Sequence, residues 1–480
     1  MRINHNSMAY TANNNLSTSS EKLAKAVERL SSGYKVNSSK DDAAGMAISQ
    51  RMQAQIRGLD RATQNANDGI GLIQTAEGTL GEIQAMMSRM EELATNAANE
   101  TLDFNDRQAC QDEINKLLEE LDRITEDMDF NGRKLLNGDV CRRNYSSDDA
   151  VTAFDVSSSV EAGDYAIKVT KAATRATSSS GGINSAFVAG PDDVGHIIVN
   201  GYEIPVREGE TMEELFADLV AECDRANVDC FADDGSGEPV PFEDASKLTF
   251  RSQSYGSSYS VKVTCDNPNL ASKLFIDSIS ETSGEDCEAE FVKDADGKRV
   301  GFSNTAGLKY DGEKVIVTDR DGFEFQFKTD SEEVESRGPI EATVRVLEAG
   351  PINLQIGAFE GENIKLNIPK VSSETLSLDK ISVFTHELAS DALDRIQEAS
   401  KKISRVRSYL GAQQNRLQYT ESNLEATSEN MTGALSGIMD TDMAAMMTEY
   451  TAKDVLSQSA TAMLSKANAL PENLLQLIQG

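Results

Sequence analysis

Residues 396–438 read IQEASKKISRVRSYLGAQQNRLQYTESNLEATSENMTGALSGI. An apolar side chain returns at every seventh position of this segment without a break: Ile396, Ile403, Leu410, Leu417, Leu424, Met431 and Ile438. Because seven residues make close to two helical turns, such a repeat places all of these side chains on one face of an α-helix. The segment therefore predicts a long helix with a continuous apolar seam, as in a coiled coil.

The N-terminal part of the chain offers partners for that seam. A spacing of three and four residues joins Met52, Ile56, Leu59, Ala66, Ile70, Ile73 and Leu80, and continues after a slip of one residue through Ile83, Met87, Met90 and Ala94. A third helix is predicted through Ile114, Leu117, Leu121, Ile124 and Met128. We expect it to begin near Asn105-Asp106 and to be closed by two Asn-Gly turns in FNGRKLLNG (130–138). Residues 1–190 and 370–470 contain no proline, which favours uninterrupted helices in both arms.

The middle of the chain differs from the two arms in charge and in pattern. The net charge is −33, of which residues 141–375 carry −22. A chain this acidic repels nucleic acid and anionic membranes, so we expect neither as a primary partner. Three β-hairpins are predicted in the insert, at 196–204 with an Asn200-Gly201 turn, at 247–264 and at 314–328. Alternation in the third places Phe323, Phe325 and Phe327 on one face.

The two chain ends are amphipathic but poor in apolar residues. Their apolar positions form a thin stripe, which we expect to drive self-assembly: Leu16, Leu23, Val27, Leu30, Met463, Leu464, Leu470, Leu474 and Leu477. Alone, neither end buries enough surface to offset the entropy of ordering it. Each end is therefore predicted to become ordered only against a partner.

Long motifs at both ends resemble those of bacterial flagellin. The N-terminal motifs are INHN (3–6), NNNL (13–16), ERLSSGYKVNSSKDDAAGMAI (28–48) and IQTAEGTLGEI (73–83). The C-terminal motifs are LGAQQNRLQYTESNL (410–424), LSQSATAML (456–464) and ANALPENLLQLI (467–478). The resemblance covers both arms, while the middle of the chain resembles no family that we can name.

This resemblance implies a mainly α protein with a β insert, in which both chain ends form a bundle of long antiparallel or coaxial helices. Residues 1–40 and 440–480 would form the coiled-coil core of a filament. Residues 41–175 and 350–439 would form a helical bundle with β-hairpin elements, and 176–349 a variable β-rich outer domain. The implied function is that of a structural, non-enzymatic subunit without cofactors.

The resemblance also implies a location and a set of partners. The chain would be exported unfolded through the flagellar channel to the extracellular filament and would polymerise there with copies of itself. Its other partners would be an export chaperone, the filament cap and the hook-associated proteins. The first twenty residues lack the layout of a cleaved secretory signal, and no apolar run approaches about 18 residues, which agrees with a signal-less route.

A host Toll-like receptor is a further partner that the resemblance implies. Within MMSRMEELATNAAN (86–99), Arg89 and Leu93 match the receptor-contacting Arg and Leu of the family, and Glu113 matches its contacting Glu. Glu91 stands where many receptor-activating members have Arg. The alternative interpretation is that the charges at 89–92 form only a solvated helix face.

Candidate catalytic and metal motifs are incomplete. His386-Glu387 opens an HExxH pattern, but position 390 is Ser, so the second zinc ligand is missing. The sequence therefore predicts no metal site and no enzyme. Six cysteines occur, five of them in or beside the insert. They are either buried thiols or partners in a disulfide within the insert, whose pairing the sequence leaves open.

Two other functions remain open at this stage. A hook–filament junction protein would share similar terminal helices, and an adhesin could reside in the insert. The LPENLLQLI ending and the fit of residues 28–48 favour flagellin over the junction protein.

Overall fold

The computed structural model describes most of the 480 residues. Those outside the description are 1–5, 100, 158, 185–186, 236, 243–244, 295–296, 321–322 and 480, and for 154, 278 and 471–479 only the backbone is described. The side chains of Leu474 and Leu477 therefore lie outside the described part of the chain.

Long helices occupy both ends of the chain and short helices interrupt the middle. They are α1 (Ser7–Ser32), α2 (Ala43–Ala97), α3 (Phe104–Asp127), α4 (Met212–Cys223), α5 (Pro268–Lys273), α6 (Ser331–Arg337), α7 (His386–Met439) and α8 (Met443–Gln479). The predicted class, mainly α with a β insert, is confirmed.

In the part of the chain that the structure describes, the strands lie between residues 129 and 366. They are β1 (Asp129–Phe130), β2 (Arg133–Lys134), β3 (Asn144–Ser146), β4 (Val151–Val156), β5 (Gly163–Lys171), β6 (Arg175–Ser179), β7 (Gly195–Val199), β8 (Tyr202–Val206), β9 (Val228–Asp233), β10 (Lys247–Tyr255), β11 (Ser260–Val261), β12 (Val263–Cys265), β13 (Thr282–Ser283), β14 (Glu288–Phe291), β15 (Gly307–Asp311), β16 (Lys314–Thr318), β17 (Glu324–Thr329), β18 (Ile340–Val346), β19 (Ile352–Gln355) and β20 (Asn363–Leu366).

These strands form several small sheets rather than one large one. Two sheets have four strands, in the orders β14-β5-β18-β3 and β15-β16-β17-β4. Two have three strands, β6-β10-β9 and β12-β7-β8, and the other sheets among the described residues are the pairs β1-β2, β11-β13 and β19-β20.

The chain divides into two compact units. The first contains the described residues of Met1–Asp68, Gln355–Ile364 and Leu417–Gly480, and the second contains Gly69–Leu354 and Lys365–Arg416.

In the first unit, α1 and α8 form an antiparallel pair. Asn6 caps α1 by accepting a hydrogen bond from the Ala9 N–H at 3.0 Å, and Gly33 ends the helix at a φ of 76°. Next to that end, the Lys35 N–H donates to the Met439 carbonyl at 2.7 Å and the Thr441 N–H to the Gly33 carbonyl at 2.9 Å. At the other end of α1, Asn6 Nδ2 donates to the Ala467 carbonyl at 2.7 Å.

In the second unit, α2 and α7 run antiparallel, as their hydrogen bonds show. Gln84 Nε2 donates to Ser400 Oγ at 2.7 Å, and Gln397 Nε2 donates to Glu91 Oε1 at 3.2 Å. The buried side chain of Gln111 in α3 binds the segment that precedes α7. It donates to the Ile381 carbonyl at 3.0 Å and accepts from the Val383 N–H at 2.8 Å.

The predicted apolar seams are buried along most of their length. On α7, Ile396, Ile403, Leu410 and Leu417 are at most 1% exposed and Leu424 is 8% exposed, whereas Met431 and Ile438 are half-buried. On α2, Ile73, Leu80, Ile83, Met87, Met90 and Ala94 are likewise at most 1% exposed.

Helix α3 departs from the prediction in two ways. It begins at Phe104, near the predicted Asn105-Asp106, but its cap is Asp103, whose carboxylate accepts from the Asp106 N–H at 2.9 Å. Its buried face carries Leu118 and Thr125, while Leu117 and Ile124 are half-buried. Starting from Ile114, a spacing of three and then four residues selects Leu117 and Leu121, and a spacing of four and then three selects Leu118 and Leu121. Both spacings fit a helical period, so the sequence did not decide which of the two adjacent leucines is buried.

Two of the three predicted insert hairpins are confirmed. Strands β7 and β8 pair with Val199 opposite Tyr202, and Asn200 and Gly201 have φ values of 49° and 83°, as a tight hairpin turn requires. Strands β16 and β17 pair with Lys314 opposite Lys328. Phe325 and Phe327 are fully buried and Phe323 packs against the same core.

The predicted 247–264 hairpin is wrong. Strand β10 pairs with β6 and β9, while β11 pairs with β13 and β12 with β7. Between them, Gly256 has a φ of 118° and its N–H donates to the Thr174 carbonyl at 3.1 Å. The chain therefore leaves the sheet here instead of turning back along it.

Candidate assembly and contact surfaces

Few of the described side chains of the α1–α8 pair are buried. Ala26, Met446 and Ala467 are at most 8% exposed, and two of these three are alanines. Large apolar side chains stand out from both helices with at least 46% of their surface exposed: Met8, Tyr10, Val27, Met443, Met447, Val455, Leu456, Met463 and Leu470. A pair of helices with so little core leaves apolar surface that another chain could cover.

The predicted self-assembly residues divide between the covered and the open faces of this pair. Val27, Met463 and Leu470 are 46%, 64% and 49% exposed. The others whose side chains are described are half-buried: Leu16, Leu23, Leu30 and Leu464.

Part of the open face was not among the predicted self-assembly positions. Met447, Thr448, Thr451, Ala452, Val455 and Leu456 line a shallow groove on α8. These residues form the pairs 447–448, 451–452 and 455–456, spaced by four positions, which is close to one helical turn. A helical-wheel projection of 447–456 would therefore have placed them on one face.

Arg89 and Glu113, predicted to contact a receptor, are neighbours. Arg89 Nε donates to Glu113 Oε1 at 2.7 Å and Nη1 to Glu92 Oε2 at 3.1 Å, and all three side chains are substantially exposed. These hydrogen bonds, that of Glu113 first, raise the pKa of Arg89. Leu93 is only 6% exposed, so it does not belong to the exposed surface around Arg89.

A second charged cluster lines a cavity of about 380 Å³ in the second unit. Glu324 is 8% exposed and bridges two cations of α7, at 2.8 Å to Lys402 Nζ and 2.9 Å to Arg405 Nη2. Burial opposes its ionisation, but the two cations outweigh burial and lower the pKa of Glu324. Burial also raises the pKa of the nearby Asp155 to about 6, with Lys402 opposing and Glu324 adding to the rise.

His386 takes part in a structural contact, since its Nδ1–H donates to the Ala98 carbonyl at 2.7 Å. Within the described ranges, no group of three or more His, Cys, Asp or Glu side chains is close enough to hold a metal ion. In that same part of the chain, none of the helices combines the length and apolarity that a membrane crossing needs.

Comparison with known proteins assigns a family to this arrangement. The family model of the bacterial flagellin N-terminal helical region matches residues 3–140. The family model of the bacterial flagellin C-terminal helical region matches residues 393–478. A flagellin of Clostridium tyrobutyricum is 32% identical over 468 residues, which cover 98% of this chain and 99% of that protein. A flagellin of Halalkalibacterium halodurans is 49% identical over 140 residues, 29% of this chain and 52% of that protein.

A solved structure, the flagellar hook associated protein-3 of Legionella pneumophila, has 13% sequence identity and a TM-score of 0.30. The matched region covers 81% of this chain and 98% of the Legionella chain. At so low a TM-score, this likeness adds nothing to the assignment of a family. The assignment rests on the matches at both chain ends and on the relative that aligns along nearly the whole length. On that basis the chain belongs to the bacterial flagellin family, and it is a structural subunit of the flagellar filament.

Proposed function

We propose that this flagellin polymerises through the open apolar face of the α1–α8 pair. The observation that carries the proposal is the exposure of large apolar side chains on two helices that share almost no core. Val27, Met463 and Leu470 belong to this face, together with the α8 groove from Met447 to Leu456. The half-buried stripe of Leu16, Leu23, Leu30 and Leu464 would hold α1 against α8. Leu474 and Leu477 belong to the same set of predicted assembly residues.

The energetics favour association over exposure. Covering one large apolar side chain contributes about 1.5–3 kcal/mol before entropy is counted. Several such side chains per subunit, repeated along a polymer, can offset the cost of fixing each subunit in place. A head-to-tail contact that does not close into a ring gives a helical filament.

The test changes one exposed side chain and keeps its apolarity in a matched control. Met463→Asp places a carboxylate on the open face and should abolish or strongly slow filament growth, while Met463→Leu should assemble as the wild type does. Seeded growth followed by light scattering and electron microscopy measures both. Normal filaments from Met463→Asp would show that this face stays in solvent.

We infer the domain roles from the same family likeness. Residues 1–40 and 440–480 would form the filament core, 41–175 and 350–439 a helical bundle with β-hairpin elements, and 176–349 an outer domain. The concentration of net charge, −22 over residues 141–375, supports a solvent-facing role for the middle of the chain because like charges keep neighbouring filaments apart.

The location and the remaining partners are inferred in the same way. The chain would leave the cell unfolded and assemble outside it. An export chaperone, the filament cap and the hook-associated proteins would meet it along that route.

Recognition of the monomer by a host Toll-like receptor is a further proposal. The exposed Arg89–Glu113 ion pair supports it, because a planar guanidinium is a frequent anchor of protein interfaces. Buried Leu93 would act from beneath, by holding the α2 backbone in position, rather than by touching the receptor.

A further inference from the structure

Two cysteines of the insert share one hydrophobic core. Cys223 is the last residue of α4 and is fully buried, and Cys230 in β9 is 6% exposed. Both belong to the cluster that contains Leu215, Leu219 and Phe250, and the Cys223 thiol lies near enough to Cys230 to raise its pKa.

Local sequence explains why these two side chains meet. A capping box between Thr211 and Glu214 begins α4, and a short 3₁₀ turn follows Cys223. Asn227 then reverses the chain with a φ of 57°, its N–H donating to the Asp224 carbonyl at 3.1 Å. In β9 the residues at 228, 230 and 232 are buried, so the side chain of Cys230 points into the core that α4 covers.

The other four cysteines have contacts of a different kind. Cys110 Sγ lies 4.0 Å from Asn96 Nδ2, and Thr329 is a polar neighbour of the Cys287 thiol. Cys141 Sγ donates to the Arg142 carbonyl at 3.7 Å and Cys265 Sγ to the Asn267 carbonyl at 3.4 Å. Each of these thiols therefore has a polar neighbour that is not a cysteine.

We propose that Cys223 and Cys230 form an intramolecular disulfide when the chain folds in the presence of a low-molecular-weight disulfide. One cysteine thiolate attacks that disulfide, which forms a mixed disulfide and releases one small thiol. The second cysteine then attacks the mixed disulfide, which forms the Cys223–Cys230 bond and releases the second small thiol. The two protein thiols thus lose two electrons in total, and the small disulfide gains them and is reduced to two thiols, which carry the two protons.

Burial determines when this step occurs. The neighbouring Cys223 thiol, together with burial, raises the pKa of Cys230 well above its ordinary value. Because the thiolate is the attacking species, a buried thiol with a raised pKa exchanges slowly. The cross-link therefore forms during folding, while both thiols are still accessible, and not in the folded protein.

The test is peptide mapping of the full chain. The protein is unfolded in guanidinium with reductant, desalted, and refolded in a mixture of reduced and oxidised glutathione. The protein is then unfolded again in guanidinium without reductant, its free thiols are alkylated, and it is digested with trypsin without reduction. Trypsin cuts at Arg207, Arg225 and Lys247, so the two cysteines fall in separate peptides, 208–225 and 226–247.

The expected product is these two peptides joined, two hydrogens lighter than their sum. Folded protein placed in the same mixture without unfolding should yield both peptides alkylated. Alkylation of both cysteines after oxidative refolding would overturn the proposal, and so would a bond from either of them to one of the other four cysteines.

A stability measurement on variants gives a second readout. The oxidised wild type should melt on the order of 5 °C above its reduced form, since the cross-link restricts the unfolded loop from 223 to 230. Cys265→Ala, the matched control, should keep this difference, and Cys223→Ala should lose it. A difference that persists in Cys223→Ala would assign it to another pair of cysteines and refute this one.

Discussion

Arg89 is held by two carboxylates yet keeps about half of its side chain exposed. The receptor proposal predicts that Arg89→Ala weakens binding of the monomer to the receptor ectodomain by at least about 1 kcal/mol, because a planar multi-donor group is lost from the interface. Glu91→Arg should bind equally or more strongly, since it restores the residue that is common in the family. Affinities of monomers for the ectodomain decide this, with circular dichroism as the check on folding.

Variants at Leu93 and Arg89 distinguish a residue that supports the helix from one that contacts the receptor. Leu93→Ala removes a buried side chain and should lower stability by about 2–5 kcal/mol. Arg89→Ala should leave stability within about 0.5 kcal/mol, because exposed ion pairs contribute little. Unchanged binding by a folded Arg89→Ala protein would mean that residues 89–92 are only a solvated helix face.

Asp155 makes stability depend on pH. Its pKa rises to about 6 in the folded chain, so the folded state binds this proton more tightly than the unfolded state does. The contribution of Asp155 to stability therefore falls as the pH rises through the window up to about 6, and stays low above it. Asp155→Asn, which resembles the protonated form, should match the wild type near pH 4. At pH 7.5 it should be more stable than the wild type by on the order of 1–3 kcal/mol.

Urea unfolding of wild type and variant at the two pH values measures this difference. Asp149→Asn removes an exposed carboxylate nearby in the sequence and should change stability by less than about 0.5 kcal/mol at either pH. A less stable Asp155→Asn at pH 7.5 would instead mean that Lys402 and Arg405 make the charged form of Asp155 favourable.

At the scale of elements, helix α8 continues through Pro471. A proline has no N–H, so it cannot donate to the carbonyl four residues earlier, which is that of Ala467. Asn6 Nδ2 donates to this same carbonyl at 2.7 Å. The amide of the α1 cap therefore compensates for the hydrogen bond that α8 lacks.

This contact should be measurable in filaments. Asn6→Ser keeps a good helix cap, but the serine side chain is too short to reach the Ala467 carbonyl. Losing this hydrogen bond should lower the stability of the filament by about 1–2 kcal/mol per subunit and lower its temperature of depolymerisation. In a Pro471→Ala background the new N–H satisfies the Ala467 carbonyl, so the same Asn6→Ser change should cost much less. Equal costs in both backgrounds would mean that Asn6 acts only as a cap.

The end of α8 is expected to be needed for assembly but not for folding. Deleting residues 471–480 removes four apolar residues, Leu474, Leu475, Leu477 and Ile478. The truncated chain should fail to polymerise, while its second unit keeps the circular dichroism and melting temperature of the full chain. Filaments of normal length from the truncated protein, seen by electron microscopy, would contradict this.

At the scale of the whole molecule, order should depend on assembly. The α1–α8 pair has few buried side chains, so hydrogen exchange on free monomers should find residues 6–33 and 445–479 almost unprotected. In filaments the same amides should exchange slowly, because neighbouring subunits cover the helices. Amides in the buried seam of α2, around Ile73 and Leu80, provide the internal control and should be protected in both states. Strong protection of the ends in a verified monomer would refute the coupling.

Much of the fold could be predicted from the sequence because it depends on local patterns. A seven-residue apolar repeat specifies the buried face of α7, and Asn200-Gly201 specifies a tight turn, since both depend only on residues near one another in the chain. The amphipathic ends, and with them a protein that polymerises, follow from the same kind of pattern. The family motifs at both ends are also a property of the sequence alone.

Tertiary structure decided what depends on residues far apart in the chain. The alternation of 247–264 marks strands, but only the folded chain places β10 between β6 and β9 and sends β11 and β12 to other sheets. Adjacent leucines at 117 and 118 fit a helical period equally well, and packing alone buried Leu118. The burial of Leu93 and the meeting of Cys223 with Cys230 were settled in the same way. Periodicity and turn chemistry act over a few residues, whereas pairing and burial depend on which distant surfaces meet, and the local pattern does not encode that choice.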